Sequence, residues 1–251
     1  MKPVTYRYAA RENNEDLSPG GALFSAPGFP AFPVRLATEM FQRAVIAVGG
    51  GPVVVWDPCC GSGYLLTAVS LTHREAITAV VASDIDAAAL ALARRNLDLL
   101  SEGGLAARSA ELLDRARRYG KPSYVRAADA AGRLHERLAA GGGPLPFSVA
   151  RADVFDSEQL RRVPVGGGQL IVMTDVPYGD QTQWHGANAT AGMSGMLDAL
   201  AGVLDDEAVI VVAGRGRRLP APESVTRLQS FSVGRRAIAL FRPRVPPRAS
   251  E

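Results

Sequence analysis

A short polar turn follows the first strongly apolar run of the chain. The run Val53 to Trp56 is succeeded by the segment DPCCGSG at residues 57–63. Glycine lets a backbone approach a ligand closely and adopt φ values closed to other residues. A buried strand that ends in an acid, a glycine turn and a helix is typical of the ligand-binding crossover of a parallel sheet. This interpretation assigns ligand binding to Asp57, Gly61, Ser62 and Gly63.

The spacing within this turn excludes two common kinds of ligand. A dinucleotide turn needs a third glycine three residues after the second, where this chain has Leu66. A phosphate loop needs Lys and then Ser or Thr after the second glycine, and neither follows. An acid before a short glycine turn suits a ligand with a zwitterionic end and no phosphates. The turn therefore predicts binding of S-adenosylmethionine.

Acids also follow the second and third apolar runs. Asp84 follows the second apolar run, residues 77–82. A carboxylate at this place can reach the ribose hydroxyls of a bound nucleoside. Asp86 stands where the N-cap of the next helix belongs, so we assign Asp84 to the ligand and Asp86 to capping, although the two could be exchanged. Asp153, after the third run, could accept from an adenine amino group, with Val154 or Phe155 against the ring. A loop acid that only caps or is solvated is an equally good interpretation of Asp153.

A proline turn follows the fourth apolar run, which in such a sheet lies beside the first. It contains Asp175, Val176, Pro177 and Tyr178. Asp175 can accept an N–H proton, while the Tyr178 ring can stack on a flat heterocycle and Pro177 fixes the turn. Trp184, in the loop that follows, adds another ring, and stacking on aromatic side chains is how proteins hold an unpaired base. The segment is therefore predicted to present a planar nitrogen for methylation.

The elements that must position these residues follow from hydrophobic periodicity. Strands are predicted at 53–56, 77–82, 147–150, 170–174 and 209–213, and a hairpin at 225–233 and 237–241. Helices are predicted at 33–47, 65–71, 86–100 and 193–204. Apolar strands that alternate with helices predict an α/β fold with a mostly parallel, doubly wound sheet, here ending in an antiparallel hairpin.

Two stretches lie outside this minimal pattern: an N-terminal segment, 1–51, and a helical insertion, 101–143. The insertion is predicted to hold two helices. The first carries an arginine-rich face opposite Leu113 and Ala116; that face comprises Arg108, Glu111, Arg115 and Arg118. The second carries arginines on one side and apolar residues on the other, namely Ala127, Ala131, Leu134 and Leu138.

Composition limits the class of protein. Of 251 residues, 47% are apolar and 21% are charged, which excludes a disordered chain. No apolar run approaches the roughly 20 residues of a membrane helix, and the N-terminus has no hydrophobic stretch of the signal-peptide type. The only cysteines, Cys59 and Cys60, are adjacent and make neither a disulfide framework nor a zinc site. We therefore expect a cytoplasmic protein with no metal and no membrane partner.

These motifs resemble the class I S-adenosylmethionine-dependent methyltransferases, and more narrowly their N-methylating members with an (Asn/Asp)-Pro-Pro-(Tyr/Phe) motif. DPCCGSG at 57–63 is similar to their donor loop, and SDID at 83–86 with ARRN at 93–96 to their second-strand segment. Val176 departs from the usual double proline, which leaves the turn less rigid. The resemblance implies a Rossmann-like fold and a single methyltransferase domain over 1–251.

Over the whole chain, ENNEDLSPGG at 12–21, the helical insertion and TDVPYGDQTQW at 174–184 resemble the family of avilamycin-resistance rRNA methyltransferases. This resemblance implies methylation of a guanine base, on ring N1, in the 23S rRNA of the large ribosomal subunit. Asp175 and Tyr178 are then the expected catalytic residues. The residues expected to hold the RNA are Pro177, Trp184, Arg215 and Arg217.

Two alternatives remain at this point. An Asp-x-Pro-Tyr turn would also serve a planar amide, so the chain could be an N-methyltransferase for a small molecule or a protein side chain. It could also be a catalytically silent RNA-binding protein of the same fold, although Asp84 and Asp175 argue against a silent protein. The sequence leaves the oligomeric state open.

Overall fold

A computed structural model describes residues 6–176, 184–186, 188–216 and 218–244 of the chain. In this part of the chain the strands are β1 (Val53–Asp57), β2 (Ile77–Asp84), β3 (Phe147–Arg151), β4 (Gln169–Asp175), β5 (Val209–Arg215), β6 (Val225–Val233) and β7 (Arg236–Pro243). The α-helices are α1 (Val34–Ala47), α2 (Tyr64–Thr72), α3 (Ala87–Leu97), α4 (Gly104–Tyr119), α5 (Pro122–Ala140), α6 (Ser157–Arg161) and α7 (Gly192–Ala201). Every predicted strand and helix is present.

The strands form one sheet in the order β3-β2-β1-β4-β5-β7-β6. Strands β1 to β5 pair in parallel, and β7 pairs antiparallel with both β5 and β6. The predicted α/β fold with an antiparallel hairpin at the end of the sheet is therefore confirmed. The strand order reverses between β1 and β4, which makes the crevice beyond their carboxyl ends the expected ligand site.

The central strand β1 is buried along its whole length, and its side chains alternate between the two faces of the sheet. Val53 and Val55 join the core beneath α1 and α2, whereas Val54 and Trp56 join the core beneath α7. The indole N–H of Trp56 donates to the Ser83 hydroxyl at 2.9 Å, which satisfies a polar group inside the core. Helices on both faces explain why the central strands are continuously apolar.

Helix α1 anchors the N-terminal segment to the domain core. Its Leu36, Met40 and Phe41 are buried. Glu39 is also buried, and its carboxylate accepts backbone N–H bonds from residues 7–9 at 2.8–2.9 Å. Burial opposes ionisation of Glu39, but these bonds and the one from Arg43 hold its pKa below the ordinary value. The segment before α1 is thus fixed by a buried ionised carboxylate.

The two predicted helices of the insertion are α4 and α5, which pack on one another. The prediction for α5 is confirmed: its four apolar positions are buried. On α4, Leu113 is 40% exposed, whereas Arg108 of the arginine-rich face is only 6% exposed. The Arg108 guanidinium donates to the carbonyl oxygens of Gly21 and Ala22, so the N-terminal segment covers part of the arginine-rich face. No helix in the described ranges is long and apolar enough to cross a membrane.

Candidate functional site

A cavity of about 590 Å³ opens at the carboxyl ends of β1, β2 and β4, within the size range of small-molecule sites. Of the predicted site residues, it is lined by Asp57, Gly61, Ser62, Asp84, Asp153, Asp175, Trp184 and Arg215. Residues from four separate strands and three loops therefore meet at one place. Pro177, Tyr178 and Arg217, which were also predicted to act here, lie outside the described residues.

The glycine turn between β1 and α2 is held by the carboxylate of Asp84. Its Oδ2 accepts from the backbone N–H of Gly61 at 2.9 Å, and its Oδ1 accepts from the N–H of Asp86 at 3.0 Å. Asp86 accepts from the N–H of Ala88 at 2.8 Å and caps α3. Asp86 is therefore the N-cap of α3, as assigned, although both Asp84 and Asp86 line the cavity. The assignment of Asp84 to the ligand stays a prediction.

Gly63, which was predicted to bind the ligand, lies outside the cavity lining. It precedes α2 with φ of 70°, and it is not among the residues that line the cavity. A Cβ at this position would lie 3.0 Å from the Cα of Ala93 in α3. The second glycine of the turn therefore permits close packing of α2 on α3 and adopts a left-handed backbone, whereas Gly61 faces the cavity.

Asp57 is a buried acid whose proton affinity is abnormal. Its side chain is almost inaccessible, and Oδ1 accepts from the N–H of Cys59 at 3.0 Å. Burial raises the pKa of Asp57 from 3.8 to about 7, and the neighbouring charges of Asp84 and Asp175 add to the rise. A site crowded with carboxylates favours a cationic ligand, because positive charge relieves both the mutual repulsion and the unfavourable burial.

The two cysteines of the turn are free thiols. Burial raises the pKa of both Cys59 and Cys60 well above the ordinary value, and the negative charge of Asp57 acts in the same direction. A thiol held in its protonated form is neither a nucleophile nor a metal ligand. Across the described ranges, no group of three or more His, Cys, Asp or Glu side chains is arranged to hold a metal ion.

The carboxylate of Asp153, after β3, is enclosed by its own loop and by a second one. Oδ1 accepts from the N–H of Phe155 at 3.0 Å. A Cβ placed on Gly186 would lie 2.3 Å from Oδ2, so the backbone of Gly186 rests directly against this acid. The rings of Phe155 and Trp184 are 5.3 Å apart and tilted by 59°. Residues 184–186 thus bring an aromatic ring and an imidazole, that of His185, to the cavity.

Asp175 and Arg215 lie at the ends of two neighbouring strands. In the parallel pairing of β4 with β5, Asp175 is opposite Ala213, two residues before Arg215. Both side chains line the cavity, together with Val176. The site therefore holds a hydrogen-bond acceptor and a permanent cation on the side where β4 and β5 end.

One wall of the cavity is an apolar part of the N-terminal segment. It consists of Gly28, Phe29, Pro30 and Phe32, which lie in the N-terminal segment before α1. Asn96 holds this segment: its Oδ1 accepts from the N–H of Phe24 at 2.8 Å, and its Nδ2 donates to the carbonyl oxygens of Phe24 and Ser62. Helical period and strand alternation do not identify such a wall, because it is an irregular apolar loop.

Comparison with known proteins agrees with this geometry. A family model described as rRNA methyltransferase AviRa matches residues 4–236. A 23S rRNA (guanine(2535)-N(1))-methyltransferase from Streptomyces viridochromogenes is 50% identical over 239 residues, which cover 94% of this chain and 95% of that protein. Two solved structures of the rRNA methyltransferase AviRa from the same organism are 47% and 50% identical, with TM-scores of 0.87 and 0.86. Each covers 95% of this chain and 96% of its own.

The reversed strand order and the acid-lined cavity at the switch point define a class I, Rossmann-like methyltransferase. Within that class, the chain belongs to the AviRa family of rRNA methyltransferases.

Proposed function

We propose that this chain transfers a methyl group from S-adenosylmethionine to ring N1 of a guanine in 23S rRNA. The observation that carries the proposal is the 50% identity, over nearly the full length of both chains, to a Streptomyces enzyme named for that reaction. We also propose that the modification protects the ribosome from an antibiotic of the avilamycin type, and that the chain acts as one cytoplasmic methyltransferase domain.

The residues of the cavity fit a methyl donor that is cationic at one end and a nucleoside at the other. Asp57 and Asp84, which line the cavity, can offer carboxylates to its positive charge and to its ribose hydroxyls, and Asp153, which also lines it, is the acceptor we assign to the adenine amino group. Gly61 and Ser62 bring backbone groups close, because the turn has no bulky side chain there. When bound, the donor supplies a methyl group that is already activated by a sulfonium leaving group.

The chemical work left to the protein is orientation and removal of one proton. Guanine N1 carries a proton at neutral pH, and Asp175 is the acceptor we assign to it, directly or through one water. Loss of that proton places negative charge on the guanine O6, which the guanidinium of Arg215 can stabilise. Trp184, with Tyr178 and Pro177, is assigned to hold the base flat against the donor. Correct alignment alone can be worth about 7–11 kcal/mol.

The test is methyl transfer in vitro. The protein is incubated with isotope-labelled S-adenosylmethionine and with 23S rRNA, either as purified RNA or as intact large subunits from a susceptible bacterium. Primer extension then locates the label, since a methyl on N1 blocks base pairing and stops reverse transcriptase. A single strong stop at a guanine supports the proposal, and the same reaction with Asp175→Asn serves as the matched control.

Three other outcomes would each replace the proposal. Label without a stop points to another atom of the RNA, such as a ribose oxygen. Transfer to a small amide or to protein, with none to RNA, supports the small-molecule or protein alternative. Failure of calorimetry to detect donor binding supports a silent RNA-binding protein. Expression in a susceptible strain tests the resistance role separately, through the inhibitory concentration of avilamycin.

A further inference from the structure

The two helices of the insertion are joined by a turn of two residues. Gly120 follows α4 with φ of 64°, a left-handed conformation that glycine adopts without strain, and Pro122 begins α5. We call residues 113–126, which comprise the end of α4, this turn and the start of α5, the insertion tip. No residue of the insertion tip is among the described residues that line the cavity. The insertion tip is therefore a surface separate from the donor site.

The other end of α5 is anchored to the domain. Arg74, which follows α2, donates to the carbonyl oxygen of Gly143 at 2.6 Å, and Arg133 in the middle of α5 pairs with Asp16 at 2.6 Å. A helix of 19 residues spans about 28 Å, so the insertion tip lies about that far from the anchored end. Beside the tip, α4 and α5 share a small core, distinct from the two cores on the faces of the sheet, made of Leu112, Ala127 and Ala128. Substitutions on the surface of the insertion tip should therefore leave the domain folded.

Positive charge is concentrated in the insertion tip. It holds one acid, Asp114, and five cations, which are Arg115, Arg117, Arg118, Lys121 and Arg126. The rest of the insertion, 101–112 and 127–143, holds three cations and four acids. The insertion tip alone thus carries a formal charge of +4, whereas the whole chain carries +3. Cations clustered on one element are typical of a surface that binds nucleic acid.

The acids of α4 balance only part of this charge. Asp114 lies 3.3 Å from the guanidinium of Arg118 and 3.5 Å from that of Arg117, so one carboxylate serves two arginines. Arg115 pairs with Glu111 at 2.7 Å. These ion pairs are exposed to solvent and contribute little stability, so they leave the arginines of α4 partly compensated.

Lys121 and Arg126 are the cations of the insertion tip that no acid compensates. Both are exposed, and among the described residues no carboxylate lies within 4.0 Å of either side chain. Together they line a groove of about 400 Å³, whose other lining residues are small or apolar, namely Ala116, Gly120, Pro122 and Val125. The groove therefore presents two positive charges to a partner.

The insertion tip also concentrates exposed apolar surface. Of the five large apolar side chains that are exposed in the described part of the chain, three lie here, namely Leu113, Tyr119 and Val125. Tyr119 is 57% exposed, and its ring centroid lies 6.2 Å from that of Tyr124. Cations beside an exposed aromatic ring suit an unpaired stretch of nucleic acid, because phosphates meet the charge while a base stacks on the ring.

We propose that the insertion tip binds 23S rRNA at a place apart from the methylated guanine. Lys121 and Arg126 bind backbone phosphates, and Tyr119 stacks on an unpaired base. The inference rests on the proposed function and adds a second contact for the same substrate. Phosphate contacts fix the position of a nucleic acid without reading its sequence. The insertion tip therefore orients the RNA, while the cavity receives the base.

The experiment measures how salt weakens RNA binding. Lys121→Gln, Arg126→Gln and the double variant are titrated against purified 23S rRNA by filter binding, across a series of KCl concentrations. Each lost phosphate contact should reduce the slope of log affinity against log salt by about 0.7–0.9. Tyr119→Ala should weaken binding about tenfold with little change of slope, because stacking releases few counterions. In methylation assays the KM of the double variant for rRNA should rise about fivefold, while kcat and the dissociation constant of S-adenosylmethionine stay within about twofold.

Matched variants make the result specific. Arg162→Gln removes an exposed arginine outside the insertion, and Ser123→Ala alters the insertion tip without changing its charge. Both should keep the wild-type salt slope. Lys121→Arg and Arg126→Lys retain the positive charge, so they should keep most of the slope that the Gln variants lose. Thermal unfolding shows that each variant is folded.

The outcomes separate this inference from the proposed function. If the wild-type protein methylates no rRNA, the proposed function fails. If it methylates rRNA and the double variant keeps both the salt slope and the KM, the insertion tip does not bind RNA. An equal loss of slope in Arg162→Gln also overturns the inference, since net charge alone would then explain the effect. So does a double variant that fails only on intact large subunits and is normal on purified rRNA, because the partner of the tip would then be a ribosomal protein.

Discussion

The side-chain amide of Asn96 donates a hydrogen bond to the carbonyl oxygen of Ser62 at 2.9 Å, and the same amide bonds the backbone of Phe24 in both directions. Asn96 is completely buried in α3. One side chain thus joins the glycine turn to the N-terminal segment, which carries Phe29 and Phe32 of the cavity wall. The guanidinium groups of Arg95 and Arg108 lie 4.0 Å from the centroid of the Phe24 ring and add cation–π contacts to this segment.

Replacement of Asn96 should loosen the donor site more than the chemical step. Asn96→Ala leaves buried backbone groups of Phe24 and Ser62 without partners, at about 1–3 kcal/mol for each unsatisfied group. The KM for S-adenosylmethionine should rise at least tenfold, with kcat changed much less. Asn96→Asp keeps the acceptor for the Phe24 N–H and should fall between wild type and Asn96→Ala in thermal stability. Equal losses of kcat and donor affinity would contradict a positioning role.

Donor binding should strengthen as pH rises toward neutrality. The pKa of Asp57 is raised to about 7, so below that pH its carboxyl is mostly protonated and offers no negative charge to a cation. Between pH 6 and pH 8 the affinity should increase roughly tenfold, with proton release on binding. Calorimetry in two buffers of different ionisation enthalpy measures both quantities.

The Asp57 carboxyl should also make the free energy of unfolding depend on pH, and this stability should fall as pH rises. Because the folded-state pKa of Asp57 exceeds its ordinary value of 3.8, its contribution to stability is fully present below pH 3.8 and is lost as pH rises through about 7. Asp57→Asn should remove the pH dependence of donor affinity and that of folding stability in this range. A wild-type pH profile that persists in the variant would assign the effect to another group.

Asp175→Asn should reduce the rate of methylation by about 10²–10³ while the dissociation constant of the donor stays within about twofold. The amide keeps the size of the side chain but accepts a proton poorly. Single-turnover transfer to rRNA and calorimetry with the donor measure the two effects independently. A loss of donor affinity as large as the loss of rate would show that Asp175 supports binding and is not the proton acceptor.

Gly186→Ala should weaken donor binding at least tenfold without unfolding the protein. Its Cβ would lie 2.3 Å from the Asp153 carboxylate, and the backbone has φ of 109°, where side chains are strained. Either Asp153 or the loop with Trp184 must therefore move. Gly167→Ala is the matched control, because a Cβ there has nothing within 4 Å. Wild-type affinity in Gly186→Ala would exclude Asp153 and its loop from the donor site.

Much of the fold and the centre of the site could be predicted because their signals are local. The apolar run before Asp57, the glycine turn and the N-cap at Asp86 each follow from the conformations that a few adjacent residues permit. Parallel strands then bring their carboxyl ends to one edge, so Asp57, Asp84 and Asp175 converge without knowledge of any particular contact. Periodicity of 3.6 and of two residues located the helices and strands for the same reason.

Tertiary structure alone decided the remaining features, since each depends on residues far apart in the chain. Arg108 is buried because carbonyl groups 86 and 87 residues away accept its hydrogen bonds, whereas helical period assigns an arginine to solvent. Gly186 rests on Asp153, and Arg215 meets Arg236, through loop folding and strand register. Local sequence determines which conformations a segment can adopt, but the burial of a polar side chain depends on the partners that folding brings to it.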